Sequence, residues 1–401
     1  MTLANGTRLQ LYKDGQGLLA AFRAIKHAKI RVCVEVYILR NDETGNAFIR
    51  LLCEKAREGV AVYCILDSFG CNPSRGHFNL LRASGVRVQE FHPIRPWETN
   101  FGWRPWCRDH RKLLFVDDDI AGMGGLNIGN EYAASWVAPN TKPDSELMRD
   151  TGMGMVGPSA RPIFDAFMAN WNYCRTGGRI QRAQVIFNLN LIRPSKGNRL
   201  GKQKPFSPDL PSRLLADEAM LGSVGMLASV PTLASPLRPF LYSLLTQSTR
   251  SVWLVMAYFA PDDELVNHLC DAARRGVDVR LVFASASDQP LLTIAARSFY
   301  EKFLDAGVKV YERNNVMLHA KTLTIDGVYA LMGSTNLDYR SIELNLELSC
   351  LIRSEEFVRQ VDQLMDHDIR FSTQFDRETW RKRPRFDRFV QWLVSRARYL
   401  L

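Results

Sequence analysis

The sequence lacks any uncharged apolar run long enough to cross a membrane, and its first residues, MTLANGTRLQLYKDG, lack the basic and then apolar segments of a secretion signal. From these absences we expect a cytoplasmic chain that is neither exported by that route nor membrane-spanning. The eight cysteines are scattered, without a Cys-x-x-Cys pair or the spacing of a zinc site. We therefore expect no disulfide framework, no metal and no other cofactor.

Acidic residues are in the minority. The 42 Asp and Glu residues face 52 Lys and Arg, which gives a formal net charge of +10. This excess favours an anionic partner, either nucleic acid or an acidic lipid surface, and charge alone does not distinguish them. Hydrophobic residues make up 46% of the chain, as in ordinary globular proteins, so wholesale disorder is excluded. A chain of 401 residues can form two domains, each with its own core.

The two halves of the chain follow the same pattern of predicted elements. Each contains a β-branched and aromatic strand, RVCVEVYIL near residue 35 and SVWLVMAYF near residue 255, followed by an amphipathic helix. This helix is predicted to stop at Gly59 in the first half and at Gly276 in the second, where the next strand begins. Strands that alternate with helices predict an α/β fold with parallel or mixed sheets, built twice.

The pattern divides the chain into four segments: a first lobe at 1–190, a connector at 191–225, a second lobe at 226–375 and a basic amphipathic helix at 376–401. The connector includes a basic stretch rich in Gly and Pro, from Arg193 to Pro211. In the last segment, apolar residues recur at helical spacing among arginines: Phe386, Phe389, Val390, Leu393, Ala397 and Leu400. Two interpretations of this helix stay open, a membrane-interface helix and a terminal helix docked on the core.

A short motif occurs once in each half. The first copy contains His110, Lys112, Asp117, Gly124, Gly125 and Asn127, and the second contains His319, Lys321, Asp326, Gly333, Ser334 and Asn336. The spacing from His to Asn is the same in both copies. Residues at positions i and i+2 of a strand point to one face, so each His and Lys pair is expected to project toward one site.

These residue types suit chemistry at a phosphate. A histidine can act as a nucleophile or a proton donor near neutral pH, and a neighbouring lysine neutralises phosphate oxygens. The Gly-rich turn that ends in Asn lets backbone and amide donors approach the same anion. One copy of so short a pattern arises easily by chance, whereas two matched copies at equal spacing favour a functional site.

The two copies resemble the H-x-K-x4-D and G-[GS]-x-N signature of the phospholipase D superfamily, and the resemblance covers nearly the whole chain. The phrases LYKDGQGLLAAFRAIKHAKIRV and AYFAPDDEL look like its bacterial cardiolipin synthase branch. The resemblance implies two pseudo-symmetric lobes, each a mixed β-sheet flanked by helices, with one active site between them. It also implies a phosphatidyltransferase that moves a phosphatidyl group between phospholipids or glycerol through a phosphohistidine, with phosphatidylglycerol or a similar lipid as substrate.

The resemblance also implies roles for individual residues. His110 is expected to be the nucleophile and His319 the acid and base, and the sequence leaves their order open because both copies carry complete His and Lys pairs. The second copy also carries Asn345 and Glu347. Glu347 matches the acid that orients a catalytic histidine in the superfamily, and we expect it to serve its own copy.

The first copy has no Glu at the corresponding place. Its segment MRDTGMGMVGP resembles a W/R-D-x segment of bacterial cardiolipin synthases, and this resemblance implies Asp150 as its acid. Asp117 and Asp326 lie at the far ends of the motif strands. We expect these two carboxylates to act behind the site or to stabilise the fold.

The loop before His110 is twelve residues longer than its counterpart before His319, counted from Tyr37 and Tyr258. It contains aromatic residues beside arginines: Trp97, Phe101, Trp103, Trp106, Arg95, Arg104 and Arg108. This composition suits a membrane interface, and it also suits base stacking or buried loop aromatics. We favour a phospholipid substrate and peripheral association with the cell membrane over nucleic acid. A phospholipid hydrolase, a nuclease and an inactive lipid-binding scaffold remain alternatives, and the oligomeric state stays open.

Overall fold

Two large β-sheets organise the chain, one in each half. The computed structural model describes residues 1–71, 75–95, 106–133, 148–177, 224–229 and 235–400. Within these ranges the first sheet has the order β1 (Arg8–Lys13), β8 (Thr151–Val156), β6 (Ile120–Gly124), β5 (Leu113–Val116), β2 (Arg31–Val36), β3 (Ala61–Asp67) and β4 (Arg87–Phe91). Strands β2, β3 and β4 run parallel, and the other neighbours run antiparallel.

The second sheet repeats this order and adds an edge strand. Its order is β9 (Val224–Ser229), β18 (Glu347–Arg353), β16 (Tyr329–Gly333), β15 (Lys321–Ile325), β10 (Ser251–Met256), β12 (Asp278–Ala284), β13 (Lys309–Arg313) and β19 (Ser372–Phe375). Strands β10, β12 and β13 are the parallel ones here. The repeated order confirms the predicted α/β fold with two pseudo-symmetric lobes, each built on a mixed sheet.

Helices flank both sheets. In the first lobe they are α1 (Gln16–His27), α2 (Glu43–Arg57), α3 (Arg75–Ala83), α4 (Asn130–Ala133) and α5 (Arg161–Arg175). In the second they are α6 (Leu237–Gln247), α7 (Asp263–Arg274), α8 (Pro290–Arg297), α9 (Tyr300–Asp305), α10 (Glu355–Arg370), α11 (Arg377–Arg381) and α12 (Arg385–Ala397). Single turns of 3-10 helix lie at Pro158–Ala160 and Arg398–Leu400, and a π-helical turn lies at Arg340–Leu344. Within the described ranges, none of the helices has the length and apolar character needed to span a bilayer.

Equivalent residues begin and end the helix that follows the first parallel strand of each sheet. The carboxylates of Asp42 and Asp262 each accept a hydrogen bond from the backbone N–H three residues ahead, at 2.9 and 2.8 Å, and so cap α2 and α7. Both helices are followed by a glycine with φ of 91°, Gly59 and Gly276. Residues that carry a side chain rarely adopt this backbone conformation. A glycine that adopts it ends the helix, which explains the predicted stops.

One apolar core spans both lobes. It includes Phe115 of the first sheet, Leu348 of the second, Phe167 of α5 and Phe357 of α10. Separate clusters lie under α1 and α2 and under α6 and α7. Because the two sheets share buried apolar surface, the hydrophobic effect holds the lobes together.

Two short backbone pairings also join the lobes. Strand β7 (Met148–Arg149) pairs in parallel with β14 (Met317–Leu318), and Asp109 forms a parallel bridge with Leu346. Within the second lobe, β11 (Phe259–Ala260) pairs with β17 (Leu337–Asp338). The two pairings between lobes immediately precede the two motif histidines, so they set how the halves of the site meet.

The predicted segment boundaries can be compared with these elements. The second sheet begins with β9 at Val224, two residues before the predicted start of the second lobe at 226. Most of the predicted connector, including Arg193 to Pro211, lies outside the described residues. The predicted terminal segment contains α11 and α12.

Candidate active site

The four predicted His and Lys side chains lie at the inner ends of equivalent strands. His110 and Lys112 occupy the extended segment just before β5, and His319 and Lys321 lie at the start of β15. All four are buried, with 8% or less of their surface exposed. In each copy the lysine Nζ donates a hydrogen bond to the carbonyl oxygen of its own histidine, at 2.6 Å for Lys112. Each predicted His and Lys pair is therefore brought together.

Each histidine contacts an acid from the other lobe. Nδ1 of His110 lies 3.0 Å from Oε1 of Glu347, and Nδ1 of His319 lies 2.7 Å from Oδ2 of Asp150. The expectations that Glu347 serves its own copy and that Asp150 serves the first copy are therefore both wrong. Both acids are fully buried.

The crossed contacts follow from the backbone pairing between the lobes. The amide of His110 donates to the carbonyl oxygen of Leu346 at 2.9 Å, and the amide of His319 donates to that of Arg149 at 2.8 Å. The residue after each of these carbonyls is the acid, which consequently lies beside the histidine of the opposite lobe. This register depends on how the lobes dock, and neither motif contains it.

The contacts of Nδ1 fix the tautomer of both rings. Nδ1 of His110 lies 3.2 Å from the carbonyl oxygen of Ser334 in addition to the Glu347 carboxylate, and both neighbours are acceptors. The neutral ring therefore carries its hydrogen on Nδ1 and a lone pair on Nε2. Asp150 imposes the same tautomer on His319. An unprotonated Nε2 is the atom that a nucleophile or a general base requires.

Burial makes charge costly in this site. It lowers the pKa of His110, and together with Lys321 it lowers the pKa of His319 to about 4. Burial also lowers the pKa of Lys112 to about 7 and that of Lys321 to about 8. For Asp150, burial raises the pKa, but the nearby His319 and Lys321 outweigh burial and leave the pKa lowered. At neutral pH the histidines are thus neutral, and an arriving anion would favour the charged form of both lysines.

The two motif asparagines are both buried but are bonded differently. Oδ1 of Asn127 accepts a hydrogen bond from the amide of Ile38 at 3.1 Å, and its Nδ2 donates to the Tyr132 hydroxyl at 3.0 Å. Oδ1 of Asn336 has no hydrogen-bond partner among the residues that the structure describes. Both ends of the Asn127 side-chain amide are therefore hydrogen-bonded within the fold. The side-chain oxygen of Asn336 stays able to accept a hydrogen bond.

The Gly-rich turns provide space for the acids. A Cβ atom at Gly125 would lie 2.3 Å from Oδ1 of Asp150, so a side chain there would collide with the carboxylate. At the corresponding position of the second copy, Ser334 donates a hydrogen bond from Oγ to Glu347. Gly125 of the first copy thus lies beside the shorter acid, Asp150, and Ser334 of the second copy lies beside the longer acid, Glu347.

Three tyrosines that the sequence analysis gave no role line the site. The ring of Tyr37 lies edge-on to His110 at 4.8 Å between centroids, and those of Tyr132 and Tyr258 lie edge-on to His319 at 5.7 and 6.1 Å. The Tyr258 hydroxyl donates to Asp288 at 2.6 Å. Tyr37 and Tyr258 follow equivalent strands in the two halves. This matched position could have predicted from the sequence that both tyrosines lie at the site.

Asp117 and Asp326 do not contact the histidines. Oδ1 of Asp117 accepts hydrogen bonds from the backbone amides of residues 29–31 and that of Asp326 from the amides of residues 250 and 251, with 2.7 Å as the shortest distance in each case. Both aspartates adopt positive φ, 53° and 54°. They hold the turn that leads into β2 or β10, at the end of the sheet away from the site.

Part of the long aromatic loop can be placed. Trp97, Phe101, Trp103 and Arg104 lie outside the described residues, and Trp106 is exposed by 52%. Arg108 is only 3% exposed, and its guanidinium donates to the carbonyl oxygen of His92 and lies 3.5 Å from Asp67. Its backbone amide donates to Oδ1 of Asn345. Of the arginines in this loop, Arg108 is therefore held inside the fold and does not face a membrane interface.

Comparison with known proteins agrees with this geometry. The family model described as cardiolipin synthase, PLD-like domain, matches residues 21–135 and 241–369, which contain both motif copies. The chain belongs to the phospholipase D superfamily, in its cardiolipin synthase branch. The predicted family and the predicted enzyme class, a phosphatidyltransferase of that branch, are confirmed.

The chain is similar to a cardiolipin synthase of Geobacillus kaustophilus, with 30% identity over 366 residues, 90% of this chain and 66% of that protein. A cardiolipin synthase of Alkalihalophilus pseudofirmus is 30% identical over 94% of this chain and 69% of its own length. The chain thus spans about two thirds of the length of these relatives. The crystal structure of a phosphatidylserine synthase from Haemophilus influenzae matches the whole chain and 96% of its own length, with a TM-score of 0.69 and 14% identity, which shows a shared fold.

Proposed function

We propose that the chain transfers a phosphatidyl group from a phospholipid such as phosphatidylglycerol to an alcohol of another phospholipid or of glycerol. The observation that carries this proposal is the pair of crossed contacts, His110 with Glu347 and His319 with Asp150. They place two histidines of the same tautomer, each beside a lysine, in one buried site. The alternatives are a phospholipid hydrolase, a nuclease and an inactive scaffold.

The proposed reaction has two displacements at phosphorus. Nε2 of His110 attacks phosphorus and forms an N–P bond while the P–O bond to the departing alcohol breaks, and His319 gives that alcohol its proton. The acceptor alcohol then returns a proton to His319 as its oxygen attacks phosphorus and the N–P bond breaks. Lys112 and Lys321 neutralise the phosphate oxygens in both transition states.

The first step depends on the lipid phosphate, because burial favours the neutral form of both histidines. An anion beside the histidines raises their pKa, because it stabilises the protonated ring. His110 has to stay neutral for the attack, whereas His319, whose pKa is lowered to about 4, has to gain a proton when the lipid phosphate binds. Water and a lipid alcohol attack the same intermediate, so hydrolysis and transfer differ only in the acceptor.

The surface supports a lipid rather than a nucleic acid. On α12 the apolar side chains Phe386, Phe389, Trp392 and Leu393 are 72, 58, 53 and 53% exposed. The same helix exposes Arg385, Arg388 and Arg396. Exposed aromatic rings beside arginines suit the headgroup level of an anionic bilayer. We therefore propose peripheral association with a phospholipid membrane.

One assay tests the proposed function. Purified protein is incubated with phosphatidylglycerol vesicles and, separately, with single-stranded and duplex DNA. We expect new diphosphatidylglycerol with wild type, none with His110→Ala or His319→Ala, and unchanged yield with His268→Ala, which alters a histidine on α7. Phosphatidic acid as the main product would identify a hydrolase, and DNA cleavage without lipid turnover would identify a nuclease. Turnover of neither substrate would favour the scaffold.

A second assay tests the assignment of the two histidines. A phosphatidyl ester of p-nitrophenol has a leaving group that departs without a proton. We expect it to restore a burst of p-nitrophenolate and a trapped phosphatidyl-protein in His319→Ala but not in His110→Ala. The opposite pattern would make His319 the nucleophile.

A further inference from the structure

The first lobe contains a cavity of about 520 Å³ between α1 and the first sheet. Its walls are mainly apolar and include backbone and side chains of β1, β5, β6 and β8. At one end the cavity is lined by Arg8 and Gln10, which are exposed on the edge strand. At the other end it is lined by Lys112 of the candidate active site. The cavity thus extends from the protein surface to the site.

Small residues on both walls create this space. Helix α1 contributes Gly17, Ala20, Ala21 and Ala24. The sheet contributes glycines at the centre of adjacent strands, Gly122 on β6 and Gly154 on β8, which are paired in register. With no side chain at Gly122, α1 and the sheet leave a gap there, whereas the Tyr12 ring lies against Gly154.

The second lobe provides an internal comparison, since α6 and β10 correspond to α1 and β2 residue by residue. The counterparts of the four small α1 residues are Leu237, Phe240, Leu241 and Leu244, all buried. The counterparts of Gly122 and Gly154 are Leu331 and Leu351, which are also buried and paired in register.

The corresponding space in the second lobe, which Lys321 also lines, measures only about 20 Å³. The second lobe therefore has the same fold, with the space between its helix and its sheet filled by side chains. Close packing is the ordinary state of a protein interior. The open layer of the first lobe consequently reflects its particular small residues, and the fold does not require it.

We propose that this cavity holds one acyl chain of the phospholipid whose phosphate lies between the two histidines. The inference rests on the proposed function and adds the place of the lipid tail. The mainly apolar wall suits a hydrocarbon chain, and the volume falls in the range of about 300–1,000 Å³ that ligand pockets occupy. Lys112 lies where the cavity reaches the site, so a chain inside it leads directly to the phosphate-binding lysine.

The asymmetry between the lobes also has a consequence for the reaction. Of the two equivalent layers, only the first can hold a chain, so the described part of the chain has an acyl subsite at the His110 side and none at the equivalent place beside His319. A donor lipid seated there would present its phosphorus next to His110. This agrees with the proposed role of His110 as the nucleophile.

The cavity can be filled with the residues that the second lobe uses. Gly122→Leu copies Leu331 and Ala21→Leu copies Leu241. A Cβ at Gly122 would make ordinary contacts, 3.7 Å to the Met153 carbonyl oxygen and 3.8 Å to Leu114, so the substitution fits. Gly154 is left unchanged, because a Cβ there would lie 2.9 Å from the Tyr12 ring.

The readout is chain-length preference. The kcat/KM is measured with dioleoyl and with monomeric dihexanoyl phosphatidylglycerol, for wild type, each filled variant and the double variant. We expect the ratio of long-chain to short-chain kcat/KM to fall by about tenfold or more in the filled variants. Ala83→Leu, the same change at an exposed helical alanine, should leave the ratio as in wild type.

A second measurement does not depend on the folding of the variants. Wild type is irradiated with phosphatidylglycerol that carries a diazirine near the end of a palmitoyl chain, and the labelled peptide is identified. We expect labelling in the segments that line the cavity, which include α1, β1, β5, β6 and β8. An unchanged ratio in folded filled variants, or labelling confined to other segments, would overturn the inference. Wild type that turns over neither lipid would instead refute the proposed function, and the labelling would still decide whether the cavity binds the chain.

Discussion

Glu347 and His110 belong to opposite lobes, and their side chains meet with 3.0 Å between Oε1 and Nδ1. The matching contact between Asp150 and His319 makes the arrangement reciprocal. Each half of the duplicated chain therefore supplies a histidine and the acid that orients the other histidine. Such exchange makes the two halves of the site dependent on each other.

The crossed contacts predict which histidine responds to each acid. Burial lowers the pKa of both histidines, and a carboxylate opposes this lowering in each case, Asp150 at His319 and Glu347 at His110, because it stabilises the protonated ring. We expect Asp150→Asn to lower the pKa of His319 alone and Glu347→Gln to lower that of His110 alone. The ¹⁵N chemical shifts of the histidine rings, followed against pH in protein labelled on histidine, report both values. If each substitution instead changed the pKa of the histidine in its own half, the crossed arrangement would be refuted.

The lysines predict how anion binding depends on pH. Burial lowers the pKa of Lys112 to about 7 and that of Lys321 to about 8, so both lose charge as the pH rises through this range. We expect sulfate, whose charge is constant from pH 6 to 9, to inhibit lipid turnover competitively. Its inhibition constant should increase by up to about tenfold per pH unit for each lysine that must be protonated. An inhibition constant that does not change with pH would show that neither lysine titrates there. In Lys112→Met, sulfate binding measured directly by titration calorimetry should begin to weaken about one pH unit higher.

The sequence predicted the elements of this site better than their assembly. The strands, the helix stops at Gly59 and Gly276 and the matched motif residues depend on local patterns, which repeat in the two halves. The partner of Glu347 depends on the pairing of Leu346 with Asp109, which forms only when the lobes dock. Local sequence also does not show that Arg108 is held by buried carbonyl and carboxylate groups.

The cavity was equally hidden, for a different reason. Its origin is a set of small residues that are unremarkable one at a time, such as Ala21 on α1 and Gly122 on β6. They become informative only when the structure aligns them with Leu241 and Leu331 of the other lobe. A position-by-position comparison of the two halves of the sequence could have indicated the cavity.

Asp117 and Asp326 are predicted to stabilise the fold without taking part in catalysis. Each carboxylate accepts hydrogen bonds from successive backbone amides at the protein surface, where water can replace it, so for replacement by Ala we expect a loss of about 0.5–1.5 kcal/mol in the free energy of unfolding. Urea titration measures this loss. The kcat per folded molecule should stay near that of wild type, and a large fall in kcat would instead give these aspartates a role in the reaction.

The same two aspartates predict that the stability of the fold decreases at acidic pH. Burial tends to raise their pKa, but the backbone hydrogen bonds outweigh it, so the folded pKa lies below the unfolded value of 3.8. A lowered carboxyl pKa gives stability that is fully present above the unfolded pKa and is lost as the pH falls through the folded pKa. We expect Asp117→Asn to reduce this loss below pH 4, measured as the midpoint of urea unfolding against pH.

The terminal helix combines the two interpretations left open by its sequence. Arg398 is 8% exposed and donates to Asp263, and Arg383 bonds Glu301, so α12 is docked on the second lobe. The opposite side exposes Phe386, Phe389 and Trp392. Removal of residues 380–401 would also remove the buried Trp380 and Arg398, so point substitutions are the better test.

We expect the triple variant Phe386→Ser, Phe389→Ser, Trp392→Ser to lose binding to phosphatidylglycerol vesicles, measured by co-sedimentation. Each ring should contribute roughly 1–2 kcal/mol on entering the bilayer interface, so the partition coefficient should fall by at least about 100-fold. Leu80→Ser, which removes an exposed apolar side chain from α3, should bind as wild type does. Turnover of monomeric dihexanoyl phosphatidylglycerol by the triple variant separates lost docking from lost folding. Equal vesicle binding by the triple variant and wild type would show that α12 is not the surface that meets the membrane.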